Sequence, residues 1–197
     1  MLSDAQGEEL VRLARTAAER YVRESIIIEP EKGDLTMSGV FVTLNFVKGE
    51  EEHLRGCIGF AMPYKPLRQS VIEAAIAAAT EDPRFPPVDS KELGEITFEV
   101  SVLTEPEELG PDYKQRIKIG RDGLLLRWKH GSGLLLPQVP VELGWDVDKY
   151  LANVCYKAGA PIDALQDPSS KLYSFRAIVF KERAPRGKVA RLEQHKE

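Results

Sequence analysis

Apolar and polar positions repeat with two different periods along the chain. Near the start, Leu10, Ala14, Ala17, Ala18 and Tyr21 recur at helical spacing, and Ser3 and Asp4 precede them as capping residues. This predicts an amphipathic first helix. "EPEKGDLTMSG" then reads as a polar turn region, and "GVFVTLNFV" (39–47), rich in β-branched and aromatic residues, as a strand. "KGEEE" turns the chain, so "HLRGCIGF" (53–60) reads as the second strand of a hairpin. Strict alternation on that strand places Leu54, Ile58 and Phe60 with Gly56 on the core face. It places His53, Arg55 and Cys57 on the other.

Helical spacing returns in "PLRQSVIEAAIAAATED", where Leu67, Val71, Ala74, Ala75 and Ala78 share a face and Pro66 sits near the first turn. "DPRFPPV" stops that helix, because a residue before proline is pushed out of the α region. Residues 95–104 alternate cleanly: Ile96, Phe98, Val100 and Val102 against Thr97, Glu99, Ser101 and Leu103. "EPEELGPDYKQR" reads as a loop, and "IKIG", "GLLLRWK" and "GLLLPQV" as short strands between turns. "DVDKYLANVCYKAG" is a helix with Val147, Leu151, Val154 and Ala158 as its stripe, Asp146 as its cap and Gly159 at its end. "KLYSFRAIVF" (171–180) reads as one last strand, and residues 183–197 as a solvated tail. Tight turns make neighbouring strands antiparallel. Two rounds of strands followed by a helix give an α+β class with an internal duplication of structure.

Composition narrows the functional classes. The 197 residues carry a net charge of −4, and the pI is about 5.6. That balance argues against nonspecific binding to nucleic acid or to an anionic membrane. No apolar run approaches the roughly 20 residues a membrane helix needs. The charged opening segment is unlike a signal peptide, and the expectation is a cytoplasmic protein. The two cysteines, Cys57 and Cys155, are far apart and belong to no C-x-x-C or Cys/His cluster. Free thiols and no structural zinc follow. No cofactor fingerprint is present either: "GRDG" and "HGSG" lack the spacing of a phosphate loop and open no helix. The two asparagines, Asn45 and Asn153, among many charges and prolines lean toward a hot-living source.

Three stretches carry candidate chemistry. In "LRGCIG", a guanidinium beside Cys57 on one strand face favours the thiolate, the reactive form. Gly56 and Gly59 let a ligand or another backbone come close. The plain alternative is a small buried cysteine with bulge glycines. His53 is a poor partner for a Cys/His dyad, because four strand residues put it roughly 13 Å from Cys57. Such a dyad could run only through His130, since His195 lies in the tail. In "EDPRFPP", prolines stiffen a loop that presents Arg84 and Phe85. Arg84 can clamp a carboxylate or phosphate, or simply pair with Asp82 while Phe85 packs. In "LLLPQVPVELGWD", Gln138 and Glu142 are the polar groups at a proline bend, which read alternatively as a rigid connector anchored by Trp145. Cys155, on a helix beside Val154, reads as a core filler.

Taken in order, "LRGCIG", "DPRFPP", "VSVLT", "GRDGLLL", "LLPQVPVE" and "KAG" resemble the AMMECR domain, named for the Alport–midface hypoplasia–elliptocytosis chromosomal region. The resemblance covers roughly residues 5–182. It implies an archaeal or bacterial member with two interleaved strand-and-helix repeats, mostly antiparallel sheet and two lobes around a cleft. It supplies no reaction. It implies an association of prokaryotic relatives with Memo-like and radical-SAM partner proteins. The cleft motifs fall on Leu54 to Gly59, on Asp82 to Pro86, and on Leu136 to Val139 with Glu142. Two readings remain open. In one, Cys57 is a nucleophile and Glu142 its proton acceptor, acting on a small anionic or nucleotide-like substrate held by Arg55, Gly56, Gly59, Arg84, Phe85 and Gln138. In the other, the same residues bind a ligand or partner loop and Cys57 fills space.

Overall fold

The computed structural model describes residues 2–30 and 37–192. In chain order these form α1 (Asp4–Glu24), β1 (Val40–Lys48), β2 (Glu51–Phe60), α2 (Leu67–Thr80), β3 (Ile96–Leu103), β4 (Glu107–Glu108), α3 (Tyr113–Arg116), β5 (Gly123–Trp128), β6 (Gly131–Leu135), α4 (Gln138–Glu142), α5 (Val147–Lys157), β7 (Lys171–Phe175), β8 (Ala177–Glu182) and β9 (Val189–Leu192). The class is α+β with two antiparallel sheets, ordered β2-β1-β3-β8-β9 and β4-β7-β5-β6. The chain divides into two compact units, Met1–Leu103 with Ile178–Leu192, and Thr104–Ala177. Part of the polar segment 29–39 and His195 lie outside the described residues.

In the first unit, Ser3 and Gln6 form a reciprocal capping box that starts α1. Leu10, Ala14, Ala17 and Ala18 of α1 are buried, as their spacing predicts; Tyr21 of the same stripe is half-buried against that core, and Val11, outside the stripe, is buried too. The alanines of α2 let it sit close to its neighbours, and nine of its residues, including the expected Leu67, Val71, Ala74, Ala75 and Ala78, are buried. Both helices belong to one core with Val40, Val42 and Leu44 of β1 and Ile96, Phe98, Val100 and Val102 of β3. Arg15 enters this core from α1. Its Nε meets Glu182 Oε1 at 2.7 Å, and Glu182 Oε2 accepts the Phe98 N–H at 3.0 Å. The pair is thus satisfied on both sides, as buried charges must be.

In the second unit, Leu124 and Leu126 of β5 pack with Tyr150, Leu151, Val154 and Cys155 of α5. Cys155 is the core filler the sequence indicates, and both thiols are free. Asp146 caps α5 by accepting the Lys149 N–H at 2.8 Å. Gly159, at φ +65°, follows the end of the helix in the left-handed region.

Five stretches differ from the sequence expectation. "EPEELGPDYKQR", expected as a loop, contains β4 and α3. "IKIG" is not a strand: the single turn α3 precedes it and residues 119–121 turn again. The strand expected over "GLLLPQV" ends at Leu135, and α4 starts right after Pro137, whose fixed φ suits a helix entry. The single strand expected at 171–180 is two. Phe175 pairs with Gly123 in one sheet, and β8 starts at Ala177 in the other. Arg176 lies between, its N–H on Thr104 Oγ1 and its carbonyl on the Thr104 N–H, both at 2.8 Å. The expected solvated tail contains β9, which pairs antiparallel with β8 and buries Val189.

Candidate functional site

β2 is an edge strand. Its outer backbone groups need partners or water. The loop after α2 lies beside this edge, yet its prolines lack the N–H groups that would extend a ladder. Side chains supply the partners instead. Asp82 Oδ2 accepts the Cys57 N–H at 2.8 Å, and Arg84 Nη2 donates to the Cys57 carbonyl at 3.4 Å. Arg84 also holds Asp82 through Nε at 3.0 Å and Nη2 at 2.7 Å. One ion pair therefore offers Cys57 the acceptor and donor that a neighbouring strand would offer. The Asp82 side chain is 2% exposed and that of Arg84 53%. The Arg84 guanidinium, against the cost of burial and helped by the Cys57 N–H, holds the Asp82 carboxyl far below the ordinary carboxylate range. The Arg84–Asp82 pairing weighed from sequence is thus present. Arg84 additionally lies 5.5 Å over the Phe85 ring.

Arg55 does not stand beside Cys57 on a shared face. The β1–β2 register shifts after Leu44: Leu44 pairs with Gly56, but Asn45 pairs with Leu54. Arg55 is the extra residue of this bulge, and a bulge reverses which face the following residues take. Leu54 consequently leaves the core face and is 42% exposed, whereas Ile58 and Phe60 pack on the core as expected. Arg55 instead turns toward the proline loop. It binds Glu92 at 3.0 and 2.9 Å and donates to the carbonyls of Pro86 at 2.9 Å and Pro87 at 3.2 Å. With its side chain 12% exposed, it clamps the loop.

The glycines serve close packing. A Cβ on Gly56 would lie 2.1 Å from the Ala78 carbonyl oxygen of α2, and one on Gly59 would lie 2.3 Å from the Val40 oxygen. Approach of another backbone, one of the uses open from sequence, is thus present at both, and Gly56 also adjoins the bulge weighed as the alternative.

Cys57 is half-buried and lies in a row across three strands: Cys57 pairs with Thr43, and Thr43 with Glu99. Thr43 Oγ1 donates to Cys57 Sγ at 3.3 Å. Burial pushes the thiol above its ordinary value. The Thr43 hydrogen bond and the Arg84 charge pull it back, while the Glu99 and Asp82 charges add to the rise. The expectation of a thiolate stabilised by Arg55 is therefore corrected on both counts, the identity of the neighbouring cation and the direction of the shift.

Within the first unit the fold brings together Arg55, Gly56, Cys57, Gly59, Arg84 and Phe85. Gln138 and Glu142 belong to the second unit, at the first and last positions of α4, Gln138 half-buried and Glu142 exposed. His53 is exposed beside Glu51 at 3.3 Å, and His130 packs edge-on against Trp128 at 4.8 Å. Sequence reasoning missed Thr43, Glu92 and Glu99 as members of the site. Thr43 and Glu99 were recoverable only through strand register, and Glu92 only through the bulge that redirects Arg55. Among the described residues no group of three or more His, Cys, Asp and Glu is arranged to hold a metal ion, and no helix is long and apolar enough to cross a membrane.

Comparison with known proteins agrees with the motifs. The AMMECR1 family model matches residues 11–180, and the chain belongs to that family. A protein of Thermococcus gammatolerans is 52% identical over 198 residues, covering 96% of this chain and 97% of that protein. Protein PH0010 of Pyrococcus horikoshii is 48% identical over 198 residues, covering 96% of each. The crystal structure of PH0010, titled as that of an uncharacterized protein, superposes with a TM-score of 0.86 at 48% identity, covering 97% of this chain and 98% of that one. These relatives are archaeal, and none of their names states an activity.

Proposed function

We propose that this chain is a binding module for a small anionic ligand and that Cys57 is not a catalytic nucleophile. The observation that carries the reading is the double engagement of Asp82. Its carboxylate holds the Cys57 N–H and the Arg84 guanidinium together. The contact fixes the loop on the edge of β2 before any ligand arrives, so ordering Arg84 costs little on binding. It also sets a negative charge against the neighbouring Arg84 cation, which would otherwise favour the Cys57 thiolate.

Arg84 remains able to bind. Its side chain is about half exposed, and among the described residues its Nη1 donates to no group. A carboxylate or phosphate oxygen suits that donor. The neighbouring Phe85 ring gives an apolar wall against which the body of a ligand can rest.

The pH dependence of Cys57 alkylation by iodoacetamide, followed by peptide mass mapping, tests the reading. The expected midpoint lies above the ordinary thiol value of about 8.5. A midpoint near or below about 7 would overturn it and favour the reading in which Cys57 is a nucleophile, already ionised at neutral pH.

A further inference from the structure

The second unit contains a cavity of about 470 Å³ beside β4 and β7. That size suits a small molecule. Its ionic lining is balanced: Arg116, Arg121 and Arg176 against Glu105, Glu107 and Asp122. The two signs are organised differently. Arg121 and Asp122 pair with each other, Nε to Oδ1 at 2.8 Å and Nη2 to Oδ2 at 2.6 Å. Asp122 is buried, accepts the Lys118 N–H at 2.9 Å, and so forms a fixed part of the wall.

The other four charges are not spent on one another. Among the described residues, neither the guanidinium of Arg116 or Arg176 nor the carboxylate of Glu105 or Glu107 forms a side-chain hydrogen bond or ion pair. Yet the backbones of Glu107 and Arg176 are pinned. Glu107 is paired in register with Ser174, and Arg176 is bonded twice to Thr104. Two cations and two anions thus line one cavity, one of each sign on anchored backbone, and each can take an outside partner. A trap for a simple anion would show an excess of positive charge. This cavity does not.

We propose that the cavity binds a small zwitterion, with its carboxylate or phosphate at Arg116 and Arg176 and its ammonium group at Glu105 and Glu107. Arginine forks match the oxygens of the anionic end, and the glutamates accept from the ammonium. Single-charge molecules satisfy one half and leave the opposite charges without a partner. The proposal is independent of the role of Cys57, which lies in the other unit.

The experiment is calorimetric titration of the full chain at low salt with a ladder of ω-amino acids from β-alanine to 6-aminohexanoate, and with 2-aminoethyl phosphate. Acetate, inorganic phosphate and propylamine are the half-ligand controls. One charge separation is expected to bind best and at least about tenfold more tightly than any control, the gain from one added charge-assisted contact. Arg176→Gln and Glu107→Gln are each expected to weaken that ligand roughly tenfold. Both side chains are exposed, so the unliganded melting temperature should stay the same. The ladder on the unaltered chain reads out the preference without any variant. Binding of acetate or phosphate as tight as the best zwitterion, no binding by any zwitterion, or full affinity in both variants would overturn the proposal.

Discussion

Thr43 and Cys57 face each other across β1 and β2, and the threonine hydroxyl donates to the cysteine sulfur at 3.3 Å. The backbone N–H and C=O of Cys57 both point outward to the proline loop. The two residues therefore form a non-hydrogen-bonded pair, the position at which antiparallel side chains approach most closely. That hydroxyl is the largest influence opposing the upward push of burial on the thiol. Replacing Thr43 by Val keeps the shape and removes the donor. The alkylation midpoint of Cys57 is expected to rise further in Thr43→Val. A lowered or unchanged midpoint would show that the hydrogen bond does not favour the thiolate.

Asp82 couples the loop to pH. Its carboxyl titrates far below its unfolded value, so the folded state gains stability from the ionised form above the unfolded pKa of about 3.9. The gain is lost as pH falls below that value, toward the depressed folded pKa. Half of the Arg84 side chain is exposed, which screens the ion pair, so the effect rests mainly on the charge-assisted bond to Cys57. Asp82→Asn is expected to cost about 1–2 kcal/mol at pH 7. In urea titrations the difference between the variant and the unaltered chain should shrink as pH is lowered through 4 toward 3. A difference that stays constant with pH would remove the charge from the explanation.

How much of this site could be read in the sequence depended on distance along the chain. The Asp82–Arg84 pair was legible because both groups sit in one short loop whose prolines limit its conformations. The alternation of β3 was legible because four apolar residues at period two must share a face. The bulge at Arg55 was legible only as the alternative of bulge glycines, which Gly56 beside it fits, and its position was not. No proline or charge pattern distinguishes a strand that continues from one that slips by a residue, and the slip moved Leu54 outward and sent Arg55 to Glu92, 37 positions away. The break at Arg176 was equally silent, since "KLYSFRAIVF" contains no glycine or proline to mark a change of sheet. β9 was hidden for the opposite reason: "VARL" sits in a stretch rich in charge, which reads as solvated although edge strands tolerate charge well.

Gly56 separates a packing role from a ligand-binding role. Any side chain there must displace the Ala78 carbonyl, and with it the C-terminal part of α2. Gly56→Ala is expected to destabilise the protein by about 1–3 kcal/mol, the usual cost of overpacking. Thermal unfolding measures it. An unchanged melting temperature would mean that α2 shifts freely and that the glycine has another purpose.

The Arg15–Glu182 pair tests whether β8 is held against α1, within the first unit, by charge or by apolar contact alone. Glu182 is 2% exposed, accepts from Arg15 Nε at 2.7 Å, and also holds the Phe98 backbone N–H at 3.0 Å. Arg15 in turn donates to the Ile96 carbonyl at 2.6 Å and lies 4.6 Å over the Phe98 ring. Removing the glutamate leaves a buried guanidinium with one carboxylate partner fewer and a backbone donor with none. Glu182→Ala is therefore expected to cost about 3–5 kcal/mol, the range for breaking one side of a buried pair. Arg15→Met with Glu182→Leu removes both charges and keeps apolar volume, so the double variant should recover part of that loss despite the orphaned Phe98 N–H. Chemical denaturation of the single and double variants measures the recovery. If the double variant is as unstable as Glu182→Ala, the cost lies in the lost backbone acceptor and packing, and the charge pair itself is not what holds β8 in place.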